Sequence, residues 1–437
     1  MSEAKHRPLW PARNYASLTE IPYCASLLSY NEFRLQYLDP NIPVLIGSAL
    51  TAPWRARQEW VAPNGKPAFE SMRSSLCSHP VEVPVADCHC KDFTDQKRST
   101  MDLKAFLDQW EELSDRQEPA RLYLKDFHFV KAFPDYHAYQ TPDIFRDDWM
   151  NEYWTRRGDM EDDYRFVYCG GDGTFTPFHA DVYRSYSWSA NICGVKRWTL
   201  FPPDQEHLFT DSLGNTVYDI ENVDTKQFPH FHKAVRFTIL QRPGETLFVP
   251  SGWWHQVHNI GDTISINHNW ANGSNLDLLL DSLQSDLSEV ERSIDNLQEM
   301  LDPEEWVDTC QNLLLINSGW DWSTIWNMCM CIRSRVLKTM KGQEIPDSDA
   351  ATTTTAAAAA SVAATSTIHI QPEKDGRDHH HHRLPLFDPP TIDQQPDLNL
   401  TLRRIDHVLG YIKGNEAAKS FLKRKKDIDA DQIQLLM

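Results

Sequence analysis

The 437-residue chain has no run of apolar residues approaching the ~18 that a membrane-spanning helix needs. No membrane association is expected from it. Its start, Met1-Ser2-Glu3-Ala4-Lys5-His6, lacks the apolar centre of a signal peptide. Positive charge is short: 43 Lys and Arg stand against 62 Asp and Glu, a formal net charge of −19. That balance excludes a polyanion such as DNA as a general partner, although a local basic patch can still form. No cysteine framework is present either. The nine cysteines are an odd number and are scattered, as free thiols in a reducing compartment would be. Cytoplasmic residence follows as the expectation, with a nuclear alternative if Lys423-Arg424-Lys425-Lys426 is read as an import signal instead of a solvated face. Cys88-His89-Cys90 comes nearest to a zinc motif. Its adjacent spacing does not match CxxC and no second pair follows, so a loop with buried thiols is expected there.

What the chain does have is apolar and aromatic bulk. Hydrophobic residues make up 41% and aromatics 11%, with fifteen tryptophans. That suffices for a sizeable core in two to three domain-sized units, or in one large domain with extensions. Residues 1–20 read as an irregular lead, and 21–163 as an α/β lead-in. Within the lead-in, Ser29-Tyr30-Asn31-Glu32 has the capping-box form and opens a helix that Pro40 closes. Pro43–Ile46, Pro80–Asp87 and Arg121–Asp126 read as strands. Thr100-Met101-Asp102 caps a helix to about Leu113, with Leu103, Phe106, Leu107 and Trp110 on one face.

Residues 164–273 crowd strand signals together: Arg165–Tyr168, the stretch around Pro177, Ser185–Leu200, Arg236–Leu240, Thr246–Val249, Trp253–His258 and Thr263–Trp270. Gly/Pro turns separate them and no helices intervene, apart from an insertion of mixed character at 202–233. This predicts a sandwich or barrel, best matched by a jelly roll of cupin type. At 274–345 the period changes. Leu276, Leu280, Leu283, Leu287, Val290, Ile294, Leu297 and Leu301 form a heptad seam on a helix of about 26 residues, capped by Ser274. The seam can pair with a second copy, giving a homodimer, or pack on its own domain. Asp302-Pro303 starts another helix, and a third lies near Trp320–Leu337. Residues 346–396 hold an Ala/Thr tract (Ala350–Ser366) and His379–His382, and read as a low-complexity linker. Residues 397–437 read as a helical tail.

Chemistry concentrates at Thr176-Pro177-Phe178-His179-Ala180-Asp181. His179 and Asp181 stand two residues apart, so on a strand both side chains leave one face. An imidazole and a carboxylate with a distant second histidine make the facial triad of a non-haem Fe(II), which leaves positions open for other ligands. Three histidines compete for the third place. His255 and His258 differ by an odd step and face opposite ways on one strand, and His268 lies on a later strand. Spacing alone does not choose among them.

Thr176–Trp198 together with Val249–Trp270 resembles the jumonji-C family of Fe(II)- and 2-oxoglutarate-dependent oxygenases. Within the family the chain is most similar to the jumonji-C domain-containing protein 4 group of lysyl hydroxylases. The likeness rests on Asp148-Trp149-Met150-Asn151-Glu152-Tyr153-Trp154, Pro177–Asp181, Gly252–Asn259 and Asp262–Trp270, and covers roughly residues 20–340. It implies a double-stranded β-helix, a distorted jelly roll. It implies His179, Asp181 and His255 as the ligands of Fe(II). Lys196, in Gly-Val-Lys-Arg-Trp, would hold the distal carboxylate of 2-oxoglutarate, assisted by Thr176 and Tyr123. Asn269 would lie near the other carboxylate, and Ser189 and Asn191 would be further liners. A buried dicarboxylate needs such a fixed cation and hydroxyl donors. The implied reaction consumes O2 and 2-oxoglutarate, releases succinate and CO2, and hydroxylates a lysine side-chain carbon of a protein, a translation-termination release factor. Asp147 and Asp148 are expected partners for the substrate ammonium. An N-methyl-lysine demethylase, a metal-silent binding module and a cupin with a merely structural metal are the rivals. The intact triad speaks against the second, and Lys196 against the third.

Overall fold

The computed structural model describes residues 9–157, 163–342 and 397–425, with Ile428, Gln434 and Leu436. The expected linker at 346–396, with its Ala/Thr tract and His379–His382, lies outside the described residues, as do Met1–Pro8. Among the described residues the strands are β1 (Tyr23–Cys24), β2 (Val44–Ile46), β3 (Glu82–Asp92), β4 (Asp95–Asp102), β5 (Leu122–Phe127), β6 (Arg165–Gly170), β7 (Phe175–His179), β8 (Tyr186–Phe201), β9 (Phe237–Gln241), β10 (Thr246–Val249) and β11 (Trp254–Trp270). The helices are α1 (Tyr30–Phe33), α2 (Arg55–Glu59), α3 (Phe69–Leu76), α4 (Leu103–Arg116), α5 (Phe129–Ala132), α6 (Trp149–Arg157), α7 (Glu206–Phe209), α8 (Leu276–Ser293), α9 (Pro303–Ser318), α10 (Trp322–Met340), α11 (Leu398–Gly414) and α12 (Glu416–Arg424). No helix among the described residues is long and apolar enough to cross a membrane.

The long strands β8 and β11 pair antiparallel from Trp254↔Phe201 to Trp270↔Tyr186 and form the spine of the fold. Each serves two leaves of one sheet network. The first half of β11 and the second half of β8 take β7 and β9 as outer neighbours. Their other halves take β6 and β10, and this leaf extends through β5, β3 and β4 on one side and β2 and β1 on the other. The crossing lies where the β8–β11 register shifts between Ile260 and Ile264. Opposite it, Gly194 has φ +71°, and a Cβ there would lie 2.2 Å from the Asp262 carbonyl oxygen. A side chain is excluded by both backbone and space. The two leaves make the expected jelly roll, with helices around it. The two strands expected at Trp253–His258 and Thr263–Trp270 are halves of one bent strand.

The large leaf packs on the N-terminal helices through a core containing Trp54, Trp60, Trp110, Trp188 and Trp270. Asp102 caps α4 by accepting from the Ala105 amide, and Leu103, Phe106, Leu107 and Trp110 are buried as the helical period requires. A second core joins Trp149, Trp154 and Tyr164 to α8–α12. The heptad seam behaves differently from expectation. Its helix stops at Ser293, followed by a 3-10 turn at Asp295–Leu297. Leu276, Leu280, Leu283 and Val290 are buried in this chain's own second core. Nor does Ser274 cap α8: Asn275 occupies that position, and the Ser274 hydroxyl donates to Asp39 at 2.8 Å. Cys88-His89-Cys90 lies on strand β3 and not in a loop, with Cys88 buried and His89 exposed.

Candidate metal centre

Strand β7 ends at His179, and Asp181 immediately precedes the 3-10 turn Val182–Arg184 without a side-chain capping bond to it. The strand is therefore shorter than the period-two argument assumed. The backbone at Asp181 is still extended (φ −62°, ψ 143°), so its side chain leaves on the same side as that of His179. His255 on β11 is the direct register partner of His179, and the two rings lie 4.3 Å apart between centroids. One donor atom from each of His179, Asp181 and His255 fits within 4.8 Å of the other two.

The hydrogen bonds orient these donors. His179 Nδ1 donates to the Pro177 carbonyl at 2.8 Å and His255 Nδ1 to the Trp253 carbonyl at 3.0 Å. Each ring thus has its Nδ1 proton committed to a carbonyl two residues back, leaving Nε2 with a free lone pair. Burial and the neighbouring His255 hold His179 down to about 4, so at neutral pH the ring is uncharged. On the carboxylate, Oδ2 accepts from Ser187 Oγ at 2.7 Å and Oδ1 from Asn269 Nδ2 at 2.9 Å. Two imidazoles that each turn Nε2 toward the same point and an anchored carboxylate match the donor set of a divalent first-row metal such as Fe(II).

The other histidines turn away, as the parity of β11 requires. His258 stacks on Phe175 at 5.2 Å and meets Gln256 at 2.8 Å. His268 bonds the Tyr139 hydroxyl at 2.6 Å and stacks on Trp188.

Beside the triad lies a cavity lined from one leaf by Thr176, Lys196, Trp198 and Val257 and from the other by Tyr168, Ser187, Ser189, Asn267 and Asn269. Lys196 is 2% exposed. Its Nζ donates to the Tyr123 hydroxyl at 3.0 Å, and no carboxylate among the described residues pairs with it. Burial pushes the ammonium down to about 7. The Ser189 hydroxyl, on the same lining, is buried without a hydrogen-bond partner. A buried cation with no anion and an unsatisfied hydroxyl are what a dicarboxylate would complete, so the residues fit 2-oxoglutarate.

Several expected roles shift. Tyr123 lies behind Lys196 as its acceptor and not on the lining. Asn269 is on the lining, but its amide serves Asp181 and Ser185. Asn191 is withdrawn, donating to the Gly194 and Gln241 carbonyls. Neither Asp147 nor Asp148 reaches the cavity. Asp147 is buried against Tyr30, Trp149 and Arg335. Asp148, pushed up to about 7 by burial, accepts from the Asn151 amide on α6 and lines a separate cavity with Tyr139, Arg165 and His268. Sequence reasoning missed Ser187, Asn267 and Tyr168. Stepping by two from Ser189 and from Asn269 finds the first two.

Comparison with known proteins agrees with this fold. The cupin-like domain family matches residues 30–275. The chain belongs to the cupin-like jumonji-C family. An "Arginine-specific demethylase JMJ20" from Arabidopsis thaliana is 48% identical over 307 residues, 67% of this chain and 65% of that protein. A "2-oxoglutarate and iron-dependent oxygenase JMJD4" from Danio rerio is 42% identical, covering 69% of this chain and 72% of that protein. The Homo sapiens protein of the same name is 38% identical, covering 72% and 75%. The chain thus spans slightly under two thirds of the Arabidopsis relative's length and about three quarters of the animal relatives'.

Proposed function

We propose that this protein is an Fe(II)- and 2-oxoglutarate-dependent oxygenase that hydroxylates a side-chain carbon of a lysine in a protein, with a translation release factor as substrate. The observation that carries the reading is the convergence of His179, Asp181 and His255 beside a buried ammonium, Lys196, that has no carboxylate partner. The names of the animal relatives support the cofactors, and the resemblance to the lysyl hydroxylase group supports the substrate.

In this reading His179 and His255 present Nε2, and Asp181 an oxygen, to the metal. Ser187 and Asn269 keep the carboxylate from turning. Lys196 and Ser189 receive the distal carboxylate of 2-oxoglutarate, with Thr176 beside them. Tyr123 holds Lys196 in place from behind. The walls of Trp198, Val257 and Tyr168 exclude water from the reacting centre. Bound iron, 2-oxoglutarate and O2 together supply the oxidant, with succinate and CO2 as co-products.

A second reading, demethylation, is favoured by the name of the Arabidopsis relative. The two differ in product. Hydroxylation of an N-methyl carbon gives a hemiaminal, which collapses to formaldehyde and the amine. Hydroxylation of a side-chain carbon leaves a stable alcohol. The test is incubation of release-factor peptides carrying unmethylated lysine, methylated lysine or methylated arginine with Fe(II), 2-oxoglutarate and the protein. One retained oxygen on the unmethylated lysine, without formaldehyde, is expected. Formaldehyde from a methylated peptide with no oxidation of the unmethylated one would make the protein a demethylase.

A further inference from the structure

The turn after Asp181 is built in a conformation its residues resist. Tyr183 and Arg184 have φ of +58° and +50°. In that region the Cβ of an L-residue crowds the neighbouring carbonyl oxygen, and neither residue is glycine or asparagine. Strain of this kind persists only where the surroundings over-determine it.

Here the surroundings are the C-terminal helices. The Tyr183 hydroxyl donates to the carbonyl of Ser318, the last residue of α9. Its ring lies 4.6 Å from that of Trp320 and meets Tyr164 edge-on at 6.0 Å. Trp320 is itself fixed, its Nε1 donating to the Tyr164 hydroxyl at 2.8 Å. Between Ser318 and Trp320, Gly319 has φ +80°, and a Cβ there would lie 2.7 Å from the Tyr183 hydroxyl oxygen. The tyrosine is seated on the glycine. Arg184 faces α8, where burial raises the Asp281 and Asp286 carboxyls and the guanidinium draws them back. The far end of the turn returns to the metal site. The Ser185 amide donates to the Val182 carbonyl at 2.9 Å, and the Ser185 hydroxyl accepts from Asn269, which also bonds Asp181.

We propose that Tyr183 is a positioning residue for the metal centre: seated in the turn between α9 and α10, it holds the left-handed turn that aims the Asp181 carboxylate at His179 and His255. The inference rests on the metal-site reading above. It makes Ser318–Trp320, which lie beyond the 30–275 segment matched by the family, part of the metal site's architecture.

The test is Mn(II) titration of the full chain, followed by the EPR signal of free Mn(II), in wild type, Tyr183→Phe, Gly319→Ala and the double variant. Tyr183→Phe keeps the ring and loses one hydrogen bond. Its Mn(II) dissociation constant is expected to rise about three- to tenfold, the range one such bond spans. At saturating metal, its KM for 2-oxoglutarate stays at the wild-type value. Gly319→Ala touches no ligand, yet drives a methyl group into the tyrosine hydroxyl and should raise the constant by a similar factor. In the double variant the clashing oxygen is gone, so the combined factor falls below the product of the two. Wild-type affinity in Tyr183→Phe overturns the proposal, as does a double-variant factor equal to the product. If Gly319→Ala does not fold, Tyr183→Phe alone decides. Wild-type protein that binds no Mn(II) at all overturns the metal-site reading, and the clamp with it.

Discussion

Lys196 sits buried with one neutral hydrogen-bond partner, the Tyr123 hydroxyl. Desolvation alone brings its ammonium down to about 7, so at pH 8 the free protein holds mostly the amine. A dicarboxylate bound against it favours the ammonium and raises that value again. Binding then takes up a proton at any pH between the free and bound values. From about pH 7 upward, 2-oxoglutarate affinity should fall with rising pH, approaching tenfold per unit. Calorimetric titrations at pH 8 in buffers of different ionisation enthalpy would detect the uptake. Lys196→Met should remove both the uptake and the pH slope while Mn(II) affinity stays. Binding without proton uptake at pH 8 would withdraw Lys196 from the distal carboxylate. His179, Asp181 and Lys196 were legible in the sequence because each rests on a short-range rule or a motif, and the parity of β11 separates His255 from His258. Tyr123 behind Lys196 and Asn269 on Asp181 depend on which strands face each other. That information lies in the register of β5, β6 and β11, not in any local stretch.

At the scale of elements, the heptad seam shows what a periodic pattern leaves open. The pattern runs to Leu301, but the backbone leaves the helix at Ile294 (φ −125°), whose partly buried side chain still packs against the second core. Residues before that point are absorbed by α9–α12 and α6 of the same chain. A second copy is therefore not needed to bury the seam. Leu283→Ala should cost about 2–5 kcal/mol of stability, the range for a large-to-small change in a core. The thermal midpoint of wild type and variant should not depend on protein concentration. A wild-type dimer in sedimentation, dissociated by this substitution, would reverse the conclusion. Other elements were read correctly for local reasons, as at α4 and at α9, where Asp302 makes a capping box ahead of Pro303. Strand β4 was missed because Asp95–Asp102 is polar and has no apolar alternation. It exists because β3 offers it an edge.

For the whole molecule, the consequence of the site is that it ties two leaves together. His179 and His255 come from the leaf of β7, Ser187 and Asn269 from that of β6 and β10, and Lys196 stands just past the bend of β8. A metal and dicarboxylate held by this set bind the native arrangement and find no such site in the unfolded chain, where these residues are far apart. They must therefore stabilise the fold by mass action. At a hundredfold excess over its dissociation constant a ligand adds about 2.7 kcal/mol, which for a chain of this size is on the order of 3–4 °C in Tm. The measurement is a thermal melt with Mn(II) and 2-oxoglutarate, reversed by a chelator. Non-specific cation binding to a chain of net charge −19 would give a shift too, so site variants are the control. His255→Ala should lose the shift. His258→Ala should keep it, because that ring lies on the other side of β11 against Phe175. A shift that survives in His255→Ala would move the metal elsewhere. No shift in wild type at saturating Mn(II) and 2-oxoglutarate would mean that the three donors and the buried lysine do not bind as a unit.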